Sequence, residues 1–284
     1  MTRPSVAKYW EQRETLPGWF TTTDFLISDF LLDWQESREP IGDLAELGVY
    51  KGKSAILLGL HRRAGEEFTV CDLFGNPAEN VETRQHNARW YGSFDRQDFE
   101  NNYLRFLDVL PTVVEGPTAE ILDFVPSGTH RFVHTDASGL YADARGDLAA
   151  ARAMLRPDGI VSVTGWRAEH YAGLAAGLWE SVLKDGLKPI CVSPVIYYGT
   201  WGDPQTAQDA LLTWAETRPE LTVDVEEVLG ARFVRVGQGA FPAAELSRSE
   251  RIAKSLLPPA ITRRLGQWRR RRLQSADSAT TSTE

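Results

Sequence analysis

The chain has 284 residues, of which 42% are hydrophobic and 25% charged, and a net charge of −8; it can bury a substantial core as one large domain with a tail, or as two small domains. No apolar run approaches the ~20 residues of a membrane span, and the opening MTRPSVAKYWEQRE lacks an apolar signal core, so a cytoplasmic protein is expected. From Ser249 onward eight basic residues face three acids, so the tail carries +5 and the remainder −13; an acidic body argues against nucleic-acid binding, which needs a basic footprint.

In chain order, the N-terminal segment 1–40 is expected to be helical. LPGWF at 16–20 precedes TTTDFLISDFLLDWQESR (21–38), where Phe25, Leu26, Phe30, Leu31 and Trp34 recur at helical spacing behind threonine and aspartate caps. This segment either covers a ligand site or packs on a sheet. DLAELG reads as a strand, SAILLGLHRR as a helix and EEFTVCDLF as a strand ending at Asp72. The polar stretch from Gly75 to about Ser93 reads as a long loop, and RQDFENNYLRFLDVL as helical. TVVEG is a strand, TAEILDFV a short helix and HRFVHTDAS a strand. ADARGDLAAARAMLRPDG is expected to stay helical until Pro157 and Gly159 stop it, before the strand IVSVTGW. A helix over 171–185, one or two strands in LKPICVSPVIYYGTW, a helix around 204–217 and the hairpin TVDVEEVLG/ARFVRVG complete the domain, 41–240. Cys71 and Cys191, the only cysteines, sit in apolar runs and are expected to pack in the core.

The alternation predicts an α/β fold: a Rossmann-like doubly wound sheet, mostly parallel, with helices on both faces and an antiparallel closing hairpin. In the segment 241–284, Leu257, Ile261, Leu265 and Trp268 recur at helical spacing among arginines. A basic amphipathic helix there would touch an anionic membrane surface, dock on the acidic body, or form a mobile arm. The end, QSADSATTSTE, has the composition of disordered chain.

The chemistry concentrates at LAELGVYKGKSAILL, 44–58. Gly48 and Gly52 mark a strand-to-helix turn, but the spacing is neither G-x-G-x-x-G nor a P-loop. Glu46 precedes the turn, where a pyrophosphate would be repelled. A ligand with positive charge and hydroxyls fits better, and S-adenosylmethionine has a sulfonium, an ammonium and a ribose. Asp72, at the next strand end, stands where an acid holds ribose hydroxyls in nucleoside-binding α/β folds. Taken singly, Glu46 could be a solvated strand residue and Asp72 a helix cap; together they point to the ligand.

ELGVYKGKSAILL, VCDLFGNPAEN, RFVHTDASGLYADARGDLAAARAMLRPDGIVSV and LKPICVSPVIYY resemble the class I S-adenosylmethionine-dependent methyltransferases. The nearest group is the small-molecule O-methyltransferases related to the macrocin and catechol types, and the resemblance runs from about Asp43 to Gly199. It implies that Gly48, Tyr50, Gly52 and Ser54 line the methionine end, with Glu46 close by. It places Asp72 at the ribose and Gly116 to Thr118 beside the adenine, where Pro117 departs from the usual polar neighbour. Asp136 matches a metal-ligating acid of the relatives, but Gly139 stands where they carry a histidine, and Thr164-Gly165 where they carry two acids. One carboxylate and one hydroxyl make a poor site for a hard cation, so a metal-free site is expected. Asp136 and His170 are then the candidate bases. His134, inside a strand, reads as packed; His170 is otherwise a solvated loop histidine, and Trp166 either walls the acceptor pocket or sits in the core. The resulting expectation is O-methylation of a small hydroxylated acceptor, such as a sugar, a glycosylated natural product or a phenol. Two rivals are a catalytically inactive cofactor-binding homologue acting as a partner or regulator, and a different nucleotide enzyme on the same fold.

Overall fold

The order in which the strands lie side by side fixes where a ligand can enter. The computed structural model describes residues 4–38, 41–91 and 93–238. Nine strands form one sheet: β1 (Asp43–Leu47), β2 (Phe68–Asp72), β3 (Thr112–Glu115), β4 (His130–Thr135), β5 (Leu155–Thr164), β6 (Lys188–Val192), β7 (Ile196–Thr200), β8 (Leu221–Val228) and β9 (Ala231–Gln238). Their order is β3-β2-β1-β4-β5-β7-β6-β9-β8. β1 pairs in parallel with β2 on one side and with β4 on the other. The winding therefore reverses between β1 and β4, and ligands of open α/β sheets bind outside the carboxyl ends of strands at such a switch point. Here those ends are Leu47 and Thr135, paired in register. β7 runs antiparallel to both β5 and β6, and β8–β9 close the sheet as an antiparallel hairpin.

Helices cover both faces. α1 (Pro4–Gln12), α2 (Thr22–Ser37), α3 (Lys53–Leu60), α4 (Val81–Trp90), α5 (Arg96–Tyr103), α6 (Tyr141–Met154), α7 (Ala172–Lys184) and α8 (Gln205–Ala215) alternate with the strands. One core layer joins Val6, Leu31, Ile56, Phe132 and Leu211; the other joins Leu47, Leu148, Val163 and Leu178. Each fully buried aliphatic or aromatic side chain contributes about 1.5–3 kcal/mol. α2 starts on a reciprocal capping box, Thr21 with Asp24, which satisfies two backbone donors that the first turn leaves unpaired. α1, within the segment expected to be helical, packs through Val6 and Tyr9. The Tyr9 hydroxyl donates to the Lys53 carbonyl at the start of α3.

Two expectations need correction. The stretch read as a loop from Gly75 to Ser93 contains α4, capped by Asn80 accepting from Glu82 N at 2.8 Å. VETRQHNARW has no apolar stripe; it is tied down by polar contacts such as Thr83 Oγ1 to Asp143 Oδ2 on α6, 2.9 Å. α6 ends at Met154, three residues before Pro157, and Leu155 is already extended. Proline disfavours helical geometry in the residue before it, so β5 takes Arg156 to Gly159 as well. Both cysteines are buried, as expected, and burial first, then neighbouring acids, pushes the Cys71 thiol up to about 12. No described helix is long and apolar enough to cross a membrane. The expected basic helix and polar end of 241–284 lie outside the described residues.

Candidate active site

The β1 end builds the site. Glu46 is completely buried. Its Oε1 accepts the Ser54 hydroxyl from the first turn of α3, while its Oε2 is buried with no hydrogen-bond partner. Buried polar atoms without partners are rare and need an explanation such as a ligand. Burial pushes the Glu46 carboxyl well up, the Ser54 bond opposes it, and Asp136 and Asp72 raise it further.

Between Leu47 and α3 the chain makes a tight turn in which Gly48, Tyr50 and Gly52 all have positive φ, 81°, 47° and 88°. Asp72 organises it. Its Oδ2 accepts from Val49 N at 2.6 Å and Tyr50 N at 2.9 Å, and its Oδ1 from Phe74 N at 2.8 Å. Tyr50 and Phe74 are two of the three described non-glycine residues with positive φ, so one carboxylate holds two backbone positions of a kind that store strain at functional sites. The glycines serve the protein's own packing. A Cβ on Gly48 would lie 2.4 Å from the Asp136 carbonyl oxygen, and one on Gly52 2.9 Å from the Phe99 ring.

Asp136 follows β4, its N–H donating to Leu47 O at 2.7 Å across the switch point. The residue is half-buried, and burial first, then Asp72 and Asp24, pushes its carboxyl well up. Asp24 is itself raised by burial. Glu46, Asp72 and Asp136 thus form a cluster of mutually repelling acids. A cationic ligand relieves that repulsion, and an anionic one adds to it.

The remaining expected residues fall less simply. Thr118 opens a short 3₁₀ helix beyond β3, but its hydroxyl is committed to Asp147 Oδ1 at 2.6 Å. Burial pushes Asp147 up to about 7 against that bond. His134 is packed: its Nδ1 lies 2.7 Å from Ser162 Oγ and its Nε2 3.4 Å from Thr164 Oγ1, and burial lowers its pKa to about 4. His170 is exposed, edge-on to the Tyr171 ring at 4.4 Å. Trp166 packs with Trp179 and Phe233 and donates to Ser193 O at 3.1 Å, on the β9 side. The LPGWF segment lies over the turn, with Trp19 5.6 Å from Tyr50 and 6.0 Å from Tyr91 between ring centres.

Sequence reasoning passed over Tyr171 and Tyr91. The Tyr171 ring is gripped between two glycines: a Cβ on Gly139 would lie 2.4 Å from its Cδ1, and one on Gly165 2.4 Å from its Cδ2. These are the two positions where the resemblance led to a missing histidine and a missing acid. The ring fills that space. Two glycines in the loops after neighbouring strands were the available signal, but glycine does not announce what packs on it.

Among the described residues, the only trio of potential ligand atoms close enough to share an ion is Asp33, Glu36 and His61. It lies at the far end of α3, where His61 bonds Glu36 at 2.9 Å and Asp29 at 3.0 Å. The acids of the turn do not converge in this way.

Comparison with known proteins agrees with this geometry. Residues 45–163 match the family model described as a methyltransferase domain, which begins on β1 and ends on β5. Among solved structures, that of the O-methyltransferase NovP is similar over 63% of this chain and 78% of its own, with 18% identity and a TM-score of 0.50. The calicheamicin methyltransferase CalS11 is similar over 70% and 92%, with 19% identity and a TM-score of 0.46. At 18% identity the likeness to NovP is one of fold. No curated protein sequence matches the chain.

Proposed function

We propose that the protein is a class I methyltransferase that uses S-adenosylmethionine to methylate a hydroxyl of a small acceptor without a metal ion, a reading supported by the match of residues 45–163 to a methyltransferase domain. The observation that carries the reading is the acidic cluster at the switch point, with the partnerless Glu46 Oε2 at its base. It fits the cofactor, whose sulfonium and ammonium would meet Glu46 and Asp136 while the ribose hydroxyls shared Asp72. Tyr50 and Ser54 would flank the methionine end, and Gly48 and Gly52 shape the turn that receives it. Thr118, tied to Asp147, would border the adenine as a wall. When bound, S-adenosylmethionine supplies a methyl group already activated by positive sulfur.

What remains for the protein is alignment and proton removal. Asp136 stands where both are needed. Burial and its acidic neighbours disfavour the ionised form of its carboxyl, and a cation beside it favours that form. A bound cofactor therefore makes Asp136 the better placed to take the proton of the acceptor hydroxyl. His170, exposed at the rim, is the second candidate for carrying that proton to water.

Asp136→Asn should lower the turnover rate by about 10²–10⁴-fold, with cofactor affinity reduced far less, as expected for a group used mainly in the transition state. The cofactor-free variant should melt higher than wild type, by about 0.5–2 kcal/mol of stability, because a strained functional charge is gone. Steady-state rates and thermal melts check both. Turnover abolished by a chelator and restored by magnesium would overturn the metal-free reading, and unchanged turnover in the variant would remove Asp136 as the base.

A further inference from the structure

The Tyr91 and Tyr171 hydroxyls lie 2.7 Å apart, and the geometry assigns them a role that rests on the transferase reading above: together they are the subsite for the acceptor's hydroxyl. The Tyr171 ring cannot shift sideways, because Gly139 and Gly165 grip its two edges. It is 9% exposed, and its N–H donates to Ala168 O at 2.9 Å, fixing the entry to α7. Tyr91 closes α4. The two hydroxyls are thus held by two separate elements, the end of α4 and the entry to α7, and an ionised Asp136 would act on both.

The chemistry of the pair selects the ligand. Each phenol has one donor and two acceptor sites. One donates to the other, so a single O–H and several lone pairs remain. That set can give one hydrogen bond to an alcohol or phenol oxygen and take one from its O–H. His86 stands beside it, its ring 5.4 Å from Tyr171 and 6.2 Å from Tyr91. Tyr50, 6.1 Å from Tyr91, and Trp19, 6.0 Å from Tyr91 and 58% exposed, add aromatic rings beside the pair, which suit a flat or ring-shaped body. The neighbouring acids disfavour a negative charge on it. The acceptor class is therefore an uncharged, ring-bearing alcohol or phenol.

Tyr91→Phe and Tyr171→Phe in the full chain test this, since phenylalanine keeps the ring that the glycines grip. Calorimetry would titrate S-adenosylhomocysteine first, then catechol and methyl α-L-rhamnoside as phenol and sugar probes. Wild type should bind S-adenosylhomocysteine and one of the probes. Each variant should bind S-adenosylhomocysteine within about twofold of wild type and the probe about five- to tenfold more weakly, the scale of one lost neutral hydrogen bond. In turnover, KM for the probe should rise while KM for S-adenosylmethionine stays put, a split that a merely structural role would not produce. Probe binding unchanged in both variants, or probe and S-adenosylhomocysteine lost together, overturns the assignment. Wild type that takes S-adenosylhomocysteine but neither probe overturns the subsite and leaves the cofactor site standing. Wild type that takes no S-adenosylhomocysteine overturns both.

Discussion

Glu66→Gln should cost about 3–5 kcal/mol of stability, the scale for breaking a buried ion pair by removing one of its charges. Glu66 is 1% exposed and Arg131 2%. Arg131 donates to both carboxylate oxygens, at 2.9 and 3.1 Å; Arg63 adds a contact at 2.6 Å and Gly42 N one at 3.1 Å. These bonds lace the amino ends of β1 and β4 together, at the edge opposite the candidate site. Burial pushes the Glu66 carboxyl up, but the arginine hydrogen bonds outweigh it and hold it at about 2, below its ordinary 4.5. The folded-state pKa is depressed, so the contribution is whole above 4.5 and is lost as pH falls toward 2. Urea denaturation should therefore show a large gap between wild type and variant at pH 7, and a smaller one at pH 3. A gap below about 1 kcal/mol at pH 7, the range of an exposed pair, would mean that the network does not hold the sheet.

Gly48→Ala should be comparably damaging, and should disable the site as well. At φ 81° a Cβ costs about 1–2 kcal/mol. It would also lie 2.4 Å from the Asp136 carbonyl oxygen and 2.6 Å from the Ala137 Cα, and overpacking adds about 1–3 kcal/mol. Both contacts are backbone, so relief means parting the ends of β1 and β4, where the acidic cluster lies. Gly230→Ala is the control: its φ is 74°, but nothing lies within 4 Å of the added Cβ. It should show the conformational cost alone. Thermal melts and S-adenosylhomocysteine titration separate the two effects. Equal losses in the two variants, with binding intact, would show that the approach of β4 to the turn is dispensable.

The central sheet was legible because its strands are short apolar runs punctuated by glycine and acid, and the closing hairpin because LG separates two alternating segments. α4 was not, because a helix held by polar side chains and a cap carries no 3.6-residue stripe. The acidic turn was legible as chemistry: Glu46 before Gly48, and Asp72 at the next strand end, are local patterns. What Asp72 does for the backbone was not, since Val49, Tyr50 and Phe74 reach it only through the fold. Tyr171 was hidden for the same reason. Its hydroxyl partner is eighty residues away, and the glycines that grip it read in sequence as losses.

The most direct test of the account is a titration of S-adenosylmethionine into the full chain, in buffers of differing protonation enthalpy. Burial and mutual repulsion disfavour the ionised forms of Glu46 and Asp136 in the free protein. A bound cation favours their ionised forms, so binding should release protons, and affinity should rise as pH rises toward the free protein's carboxyl pKa values. Asp72→Ala should weaken binding by about 1–3 kcal/mol, the scale of hydrogen bonds to a charged group. Micromolar binding with proton release, weakened in the variant, is the result predicted. No binding at micromolar cofactor, or equal affinity in wild type and variant with no protons released, would contradict it.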